Sequence, residues 1–176
     1  MSTGSPSPET SKLGTRVGDK VVYAAHGVGQ VVAHEQRQVG GAERECIVID
    51  LATGLRVTLA VEEAAARLRA VADRGELEAV RKTLAAESSE RDGVWTRRIK
   101  ASEAKLAAGR ATDLAELVRD GDRLERAQKG RLSHGERRLY LRARQLLVSE
   151  LCTARGLDDA AAEAWVDAQI HDGNGD

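Results

Sequence analysis

Phenylalanine is missing from this 176-residue chain, and aromatic residues together make up 2% of it, as two Trp and two Tyr. A core without Phe has to be filled by Leu, Val, Ile and Ala, so each remaining ring is a marker worth placing. Cysteine is scarce too: Cys46 and Cys152 stand far apart and match no zinc-ligand spacing. No apolar run approaches the ~20 residues that a membrane-spanning helix requires. Residues 1–15 lack the basic stretch followed by an apolar stretch that marks a secretion signal. Catalytic signatures are equally hard to find: there is no P-loop, no dinucleotide fingerprint behind a strand and no His-Glu-x-x-His. His26, His34, His134 and His171 are scattered, and Glu62-Glu63 suits the start of a helix better than a working carboxylate pair. These gaps point to a cytoplasmic, non-enzymatic protein with no metal and no cofactor.

Hydrophobic residues at 41% and charged residues at 31% describe a soluble globular chain, with room for one medium domain or two small ones. The net charge of −1 conceals a strong partition: residues 1–90 carry −2, residues 91–144 carry +7 and residues 145–176 carry −6. A basic middle between acidic ends suggests a localised field that attracts phosphate backbones. Arg outnumbers Lys by 21 to 6, which favours planar, forked donors over point charges. The same usage follows from a GC-rich genome, so composition leaves both explanations open.

The texture of the chain changes twice. Residues 1–15 are rich in Ser, Thr, Gly and Pro and read as a disordered tail. From Val17, β-branched clusters (Val21-Val22-Tyr23, then Val28, Val31 and Val32) alternate with glycines, and Gly40-Gly41 is a hairpin signal. Glu45 to Asp50 reads as a strand setting Cys46 and Val48, with Leu51, against Ile47 and Ile49. Leu55, Val57 and Leu59 alternate with Arg56, Thr58 and Ala60. Four or five short strands predict a small, strongly bent antiparallel sheet or barrel. After Val61 the strand signals stop and helix signals begin. Asp73 and Ser133 open capping boxes with Glu76 and Glu136, Thr112 is a candidate N-cap, and Asp158 caps a last helix with Ala161, Trp165 and Ala168 on one face. The fold class is therefore α+β: a β-rich module at 16–70, a compact all-α domain at 71–172, and a four-residue tail at 173–176.

Two basic runs carry the functional signal. Trp95 stands just before Arg97, Arg98 and Lys100, with Ile99 on its own helical face. Arg137, Arg138, Arg142 and Arg144 line one side of the helix that follows Ser133. Each run could be a solvated face, with Trp95 stapling its helix to the core. Each could also be a DNA contact, with a large ring wedged into a base step between phosphate-binding cations.

These residues resemble a known family. Val17-Gly18-Asp19-Lys20-Val21-Val22-Tyr23, continuing through His26-Gly27-Val28-Gly29, is similar to the opening of the CarD / CdnL family of bacterial transcription regulators. Trp95 to Lys100 resembles that family's tryptophan-basic motif, and Leu132 to Arg138 with Ala143 to Leu151 resembles its long C-terminal helix. The resemblance implies a Tudor-like β-barrel module that docks on the β subunit of RNA polymerase, and a helical domain at the upstream edge of the melted promoter. It implies Trp95 as the wedge and Arg97, Arg98, Lys100, Arg137 and Arg138 at the DNA. No catalysis and no cofactor follow from it, and the protein would act by stabilising the open complex.

In the β module, Arg37 matches a basic position that the family uses toward polymerase. A second such position, on the last strand, is Leu59 here; the usual proline is Val61, and an aromatic is replaced by Cys46. The last strand (Arg56, Val57, Thr58, Leu59) could still dock by main-chain pairing. These departures keep a second reading alive, a non-enzymatic adaptor whose β module binds a different partner. A monomer is expected, since the apolar stripes suffice only for internal packing.

Overall fold

The first strand, β1 (Lys20–Tyr23), is short and buried after its leading lysine, and one 3-10 turn (Ala24–His26) reverses the chain into β2 (Gly27–Val39). The computed structural model describes residues 14–87, 95–127 and 132–172; of the two expected tails, only Gly14 and Thr15 fall within it. β2 and β3 (Ala42–Leu51) form a long hairpin, joined by Gly40 and Gly41 at φ of 62° and 81°. A two-residue turn with positive φ at both positions matches the right-handed twist of the flanking strands, and glycine adopts it without strain. β4 (Arg56–Ala60) follows, then α1 (Val61–Arg67) and β5 (Leu68–Ala70). All pairings are antiparallel, in the order β4-β3-β2-β1-β5, so α1 connects the two outer strands. Glu62 and Glu63 occupy the first turn of α1, where they complement the helix dipole.

β5 corrects the expectation that strands end at Val61. Leu-Arg-Ala carries no alternation, and pairing with β1 holds it extended. β2 and β3 are also far longer than the short strands expected.

One inserted residue governs the ladder. Val31 pairs with Ile49, but Ala33 pairs with Val48, so Val32 is an extra residue bulged from β2. Ile47, Ile49 and Leu51 face a core shared with Val21, Tyr23, Val31, Leu59, Val61 and Ala64. Leu51 thus belongs with the two isoleucines, not with Cys46 and Val48 as the sequence suggested. Cys46 and Val48 are themselves buried, so the middle of β3 is apolar on both sides.

The chain divides at Ala70/Val71 into two units. The second comprises α2 (Arg74–Ala85), α3 (Trp95–Ala108), α4 (Ala111–Ala127), α5 (His134–Arg155) and α6 (Asp159–Asp172). Both predicted capping boxes form: the Glu76 amide donates to Asp73 at 2.8 Å, and the Glu136 amide donates to Ser133 Oγ at 3.3 Å. Asp158 caps α6 by accepting from the Ala161 amide at 2.7 Å. Thr112 is not a cap. Arg110 O already accepts the Leu114 amide, which places Thr112 inside α4.

α4 packs on α2, α3 and α5, and α6 packs on α2 and α5. Leu139, Ala143, Leu146, Leu147 and Leu151 of α5 are buried together as their spacing predicts. On α6 the buried stripe is Ala162, Val166 and Ile170, not Ala161, Trp165 and Ala168. Trp165 lies half-buried at its margin, with the Arg155 guanidinium 4.9 Å above its ring. Glu150, only 2% exposed, accepts the Ala72 amide at 2.9 Å and ties the approach to α2 onto α5.

α4 and α5 approach closely at Gly121, where an added Cβ would lie 2.4 Å from Cδ2 of the buried Tyr140 ring. Gly121→Ala is expected to destabilise the protein by about 1–3 kcal/mol through overpacking. Urea unfolding should show a lower midpoint at unchanged slope.

Candidate functional site

The basic middle of the chain is mostly consumed internally. On α4, Arg119 donates to Thr83 O at 3.1 Å and Arg123 donates to Ala86 O at 2.7 Å. Both satisfy carbonyls at the C-terminal end of α2, where cations are favoured. Arg110 pairs with Asp113 and Arg126 with Asp122, each at 2.8 Å, and Lys105 pairs with Glu116.

Arg144, read from the sequence as one of a basic row, is bound to α6. Its guanidinium donates to Glu163 at 2.6 Å, to Asp167 at 2.7 Å and to the Tyr140 hydroxyl at 3.4 Å. Burial works against its charge, but the two carboxylates outweigh it and hold the group well above the ordinary guanidinium value. The acidic last helix therefore removes one cation from the row. Arg142 is half-buried and donates to Gln145 at 2.8 Å, and Arg137 is 3.6 Å from Glu125.

What remains lies near two helix starts. Arg97 and Lys100 are exposed on the first two turns of α3, and Arg138 is exposed at the start of the second turn of α5. None of these three makes an ion pair among the described residues. The two helix starts are neighbours: Ile99 Cδ1 lies 3.9 Å from where a Cβ on Gly135 would stand. Arg98 and Ile99 also share a cleft of about 210 Å³ with Leu132, Glu136, Leu139 and Tyr140. The two basic runs, some forty positions apart, thus begin side by side, with Arg98 half-buried at the cleft and Arg97 and Lys100 on the exposed side of α3, away from the Ile99 contact. Trp95 is the first residue of α3; its side chain lies outside the described residues.

In the β module, the bulge at Val32 puts Glu35 and Arg37 on the face opposite the core, together with Asp50 and Arg56. Glu35 accepts from Arg37 at 2.7 Å, and Arg56 donates to both Asp50 oxygens at 2.6 and 2.8 Å. The hydrogen bond from Arg56 holds the Asp50 carboxyl below the usual carboxylate range. Val57 packs against the core from the other face, and Thr58 is half-buried. The Leu59 side chain, at 5% exposure, fills the core opposite Ile47. Only its backbone lies on the outer strand. Arg44, directly across from Arg37 in the ladder, was missed. Counting outward from the Gly40-Gly41 turn would have found it.

Neither cysteine is set up as a nucleophile. Cys46 is buried, while burial and then Asp159 push the Cys152 thiol up. His34 is enclosed 3.9 Å from Glu45, and His26 stacks on Tyr23. Among the described residues there is no cluster of His, Cys, Asp and Glu able to hold a metal, and no helix long and apolar enough to cross a membrane.

Arg144→Met is expected to lower stability by roughly 1–2 kcal/mol, since Glu163 and Asp167 remain partly solvated once unpaired. Its affinity for forked DNA should stay within twofold of the parent. Urea denaturation and a fluorescence titration with DNA would check the two halves.

Two family models match in order along the chain: the CarD-like/TRCF RID domain over residues 16–72 and the CarD C-terminal domain over residues 79–167. A protein of Bacillus subtilis (strain 168), named as a candidate transcription factor, YdeB, is 25% identical over 152 residues, covering 85% of this chain and 98% of that protein. With its helical half accounted for by the one model and its β module by the other, the chain belongs to the CarD family of transcription regulators.

Proposed function

We propose that this regulator bridges the β subunit of RNA polymerase and promoter DNA and stabilises the open complex. The observation that carries this reading is that the adjoining starts of α3 and α5 bear exposed Arg97, Lys100 and Arg138. A cation in the first turn of a helix opposes its dipole, so Arg137 is poorly placed on α5 and is offset only by Glu125, 3.6 Å away. A phosphate there would meet the positive helix end and the guanidinium groups together. Trp95, at the start of α3 beside Arg97 and Lys100, is the proposed wedge at the upstream fork. Arg98 would steady that edge from the cleft.

The β module would act as the tether, with Arg37 and the outer backbone of Arg56–Leu59 meeting polymerase. Three unpaired cations make a weak DNA ligand, and tethering raises their effective concentration at the promoter. Binding the open state better than the closed one then shifts the population toward opening. No catalytic step and no cofactor are invoked, and one copy of the chain suffices. The protein would accompany polymerase on the nucleoid.

A specific observation supports the competing adaptor reading: Leu59 lies in the core where family resemblance called for an exposed cation. Binding to the isolated polymerase β lobe separates the two. The tether requires micromolar or tighter binding that Arg37→Glu weakens; no binding at tens of micromolar would leave the adaptor reading in the lead. At the DNA, Arg97→Glu with Lys100→Glu should weaken binding equally on all forked sequences and lower the salt slope by about two. Trp95→Ala should keep the fold and the β-lobe affinity while losing open-complex stabilisation, read by promoter-melting fluorescence.

A further inference from the structure

The sheet proper ends before the β2–β3 hairpin does. β4 pairs with β3 only from Cys46 to Asp50, and β1 pairs with β2 only as far as Gln30. Residues 36–45 therefore project as a two-stranded ribbon, exposed except at Glu45. Its register gives the ribbon two unlike faces. Gln36 and Gln38 stand across from Glu45 and Glu43, which makes one face acidic. The other carries Arg37 directly across from Arg44, followed by Val39 across from Ala42.

Like charges directly opposed on neighbouring strands destabilise a ladder, and their Cβ atoms stand about 4.5–5.5 Å apart. Glu35, the one carboxylate at this end of that face, is engaged by Arg37 through two nitrogens, each at 2.7 Å. Arg44 makes no ion pair among the described residues. Beside the two guanidiniums, Val39 is 41% exposed, one of few large apolar side chains so placed. Charged residues also protect exposed strands from aggregation, but a mixed pair would do that without the repulsion.

We infer that Arg37 and Arg44 form a two-guanidinium fork for an acidic segment of a partner protein, with Val39 as its apolar contact. This rests on the tether reading and extends it. The cation missing at Leu59 is replaced from the neighbouring hairpin by Arg44. Guanidinium suits this role, because it can bind a carboxylate through two parallel hydrogen bonds.

The test uses the full chain with two ligands, the isolated polymerase β lobe and a hexaglutamate peptide. Arg44→Glu should weaken binding to both at least tenfold, while raising the melting temperature, because the carboxylate it introduces would oppose Arg37 favourably. A residue that merely supported the ribbon would give the opposite thermal shift. Arg44→Gln, which keeps a polar side chain, should weaken binding less and leave the fold unchanged. If Arg44→Glu binds both ligands as the parent does, or Arg44→Gln unfolds the ribbon, the fork is wrong. If the parent ignores the β lobe yet binds hexaglutamate through Arg44, the fork stands and the polymerase tether falls.

Discussion

A single inserted residue, Val32, sets the character of the β module. Side chains in a strand alternate with a period of two, so one extra residue exchanges the faces of everything beyond it. Before the bulge, Val31 points into the core beside Ile49; after it, His34 and Gln36 take that side and Glu35, Arg37 and Val39 take the other. Without the bulge, Arg37 would be carried to the core side of the sheet. The Gly40-Gly41 turn then transmits the same choice to β3 and places Arg44 opposite Arg37. The chemistry this module can present is decided by backbone register before any side-chain contact is considered.

The helical unit reaches its exposed chemistry by subtraction. Its sequence is crowded with arginines, but most satisfy internal demands: α4 closes the end of α2 through Arg119 and Arg123, and α6 engages Arg144 through two carboxylates. Each such pair removes a cation from the surface and fixes a helix in place. Of those without an ion pair among the described residues, Arg97, Lys100 and Arg138 lie near the starts of α3 and α5. A buried carboxylate, Glu150, performs a similar service for the backbone by accepting the Ala72 amide.

Much of this was legible in the residues. The hairpin turn, the capping boxes at Asp73 and Ser133 and the apolar face of α5 follow from local rules, and each forms. What escaped depends on distant partners. β5 exists because β1 is beside it, and Leu-Arg-Ala has no periodicity of its own. The α6 stripe lies one to two positions beyond the expected one, because Trp165, though the larger apolar residue, stays at the margin and smaller Val166 and Ile170 fill the core. Thr112 has a capping side chain but stands two residues past the N-cap position, Arg110. In the candidate site, the separation of basic runs into paired and unpaired arginines could not be read from spacing. Arg144 and Arg138 look alike in sequence, and only the packing of α6 tells them apart.

That distinction bears on how a chain of net charge −1 could act at DNA at all. Three cations near two helix starts, without ion pairs among the described residues, give little affinity by themselves and lose much of it to salt. On the proposed reading this weakness is useful. A domain that bound DNA strongly would occupy duplex everywhere and dilute itself away from promoters. One that needs a tether acts where the tether is held. The two units then have complementary demands: the β module must supply specificity for a protein partner, and the helical unit must keep its field small and local. Glu163 and Asp167 of α6 meet the second demand by holding Arg144 inside the fold, which keeps one cation of the basic row from the surface.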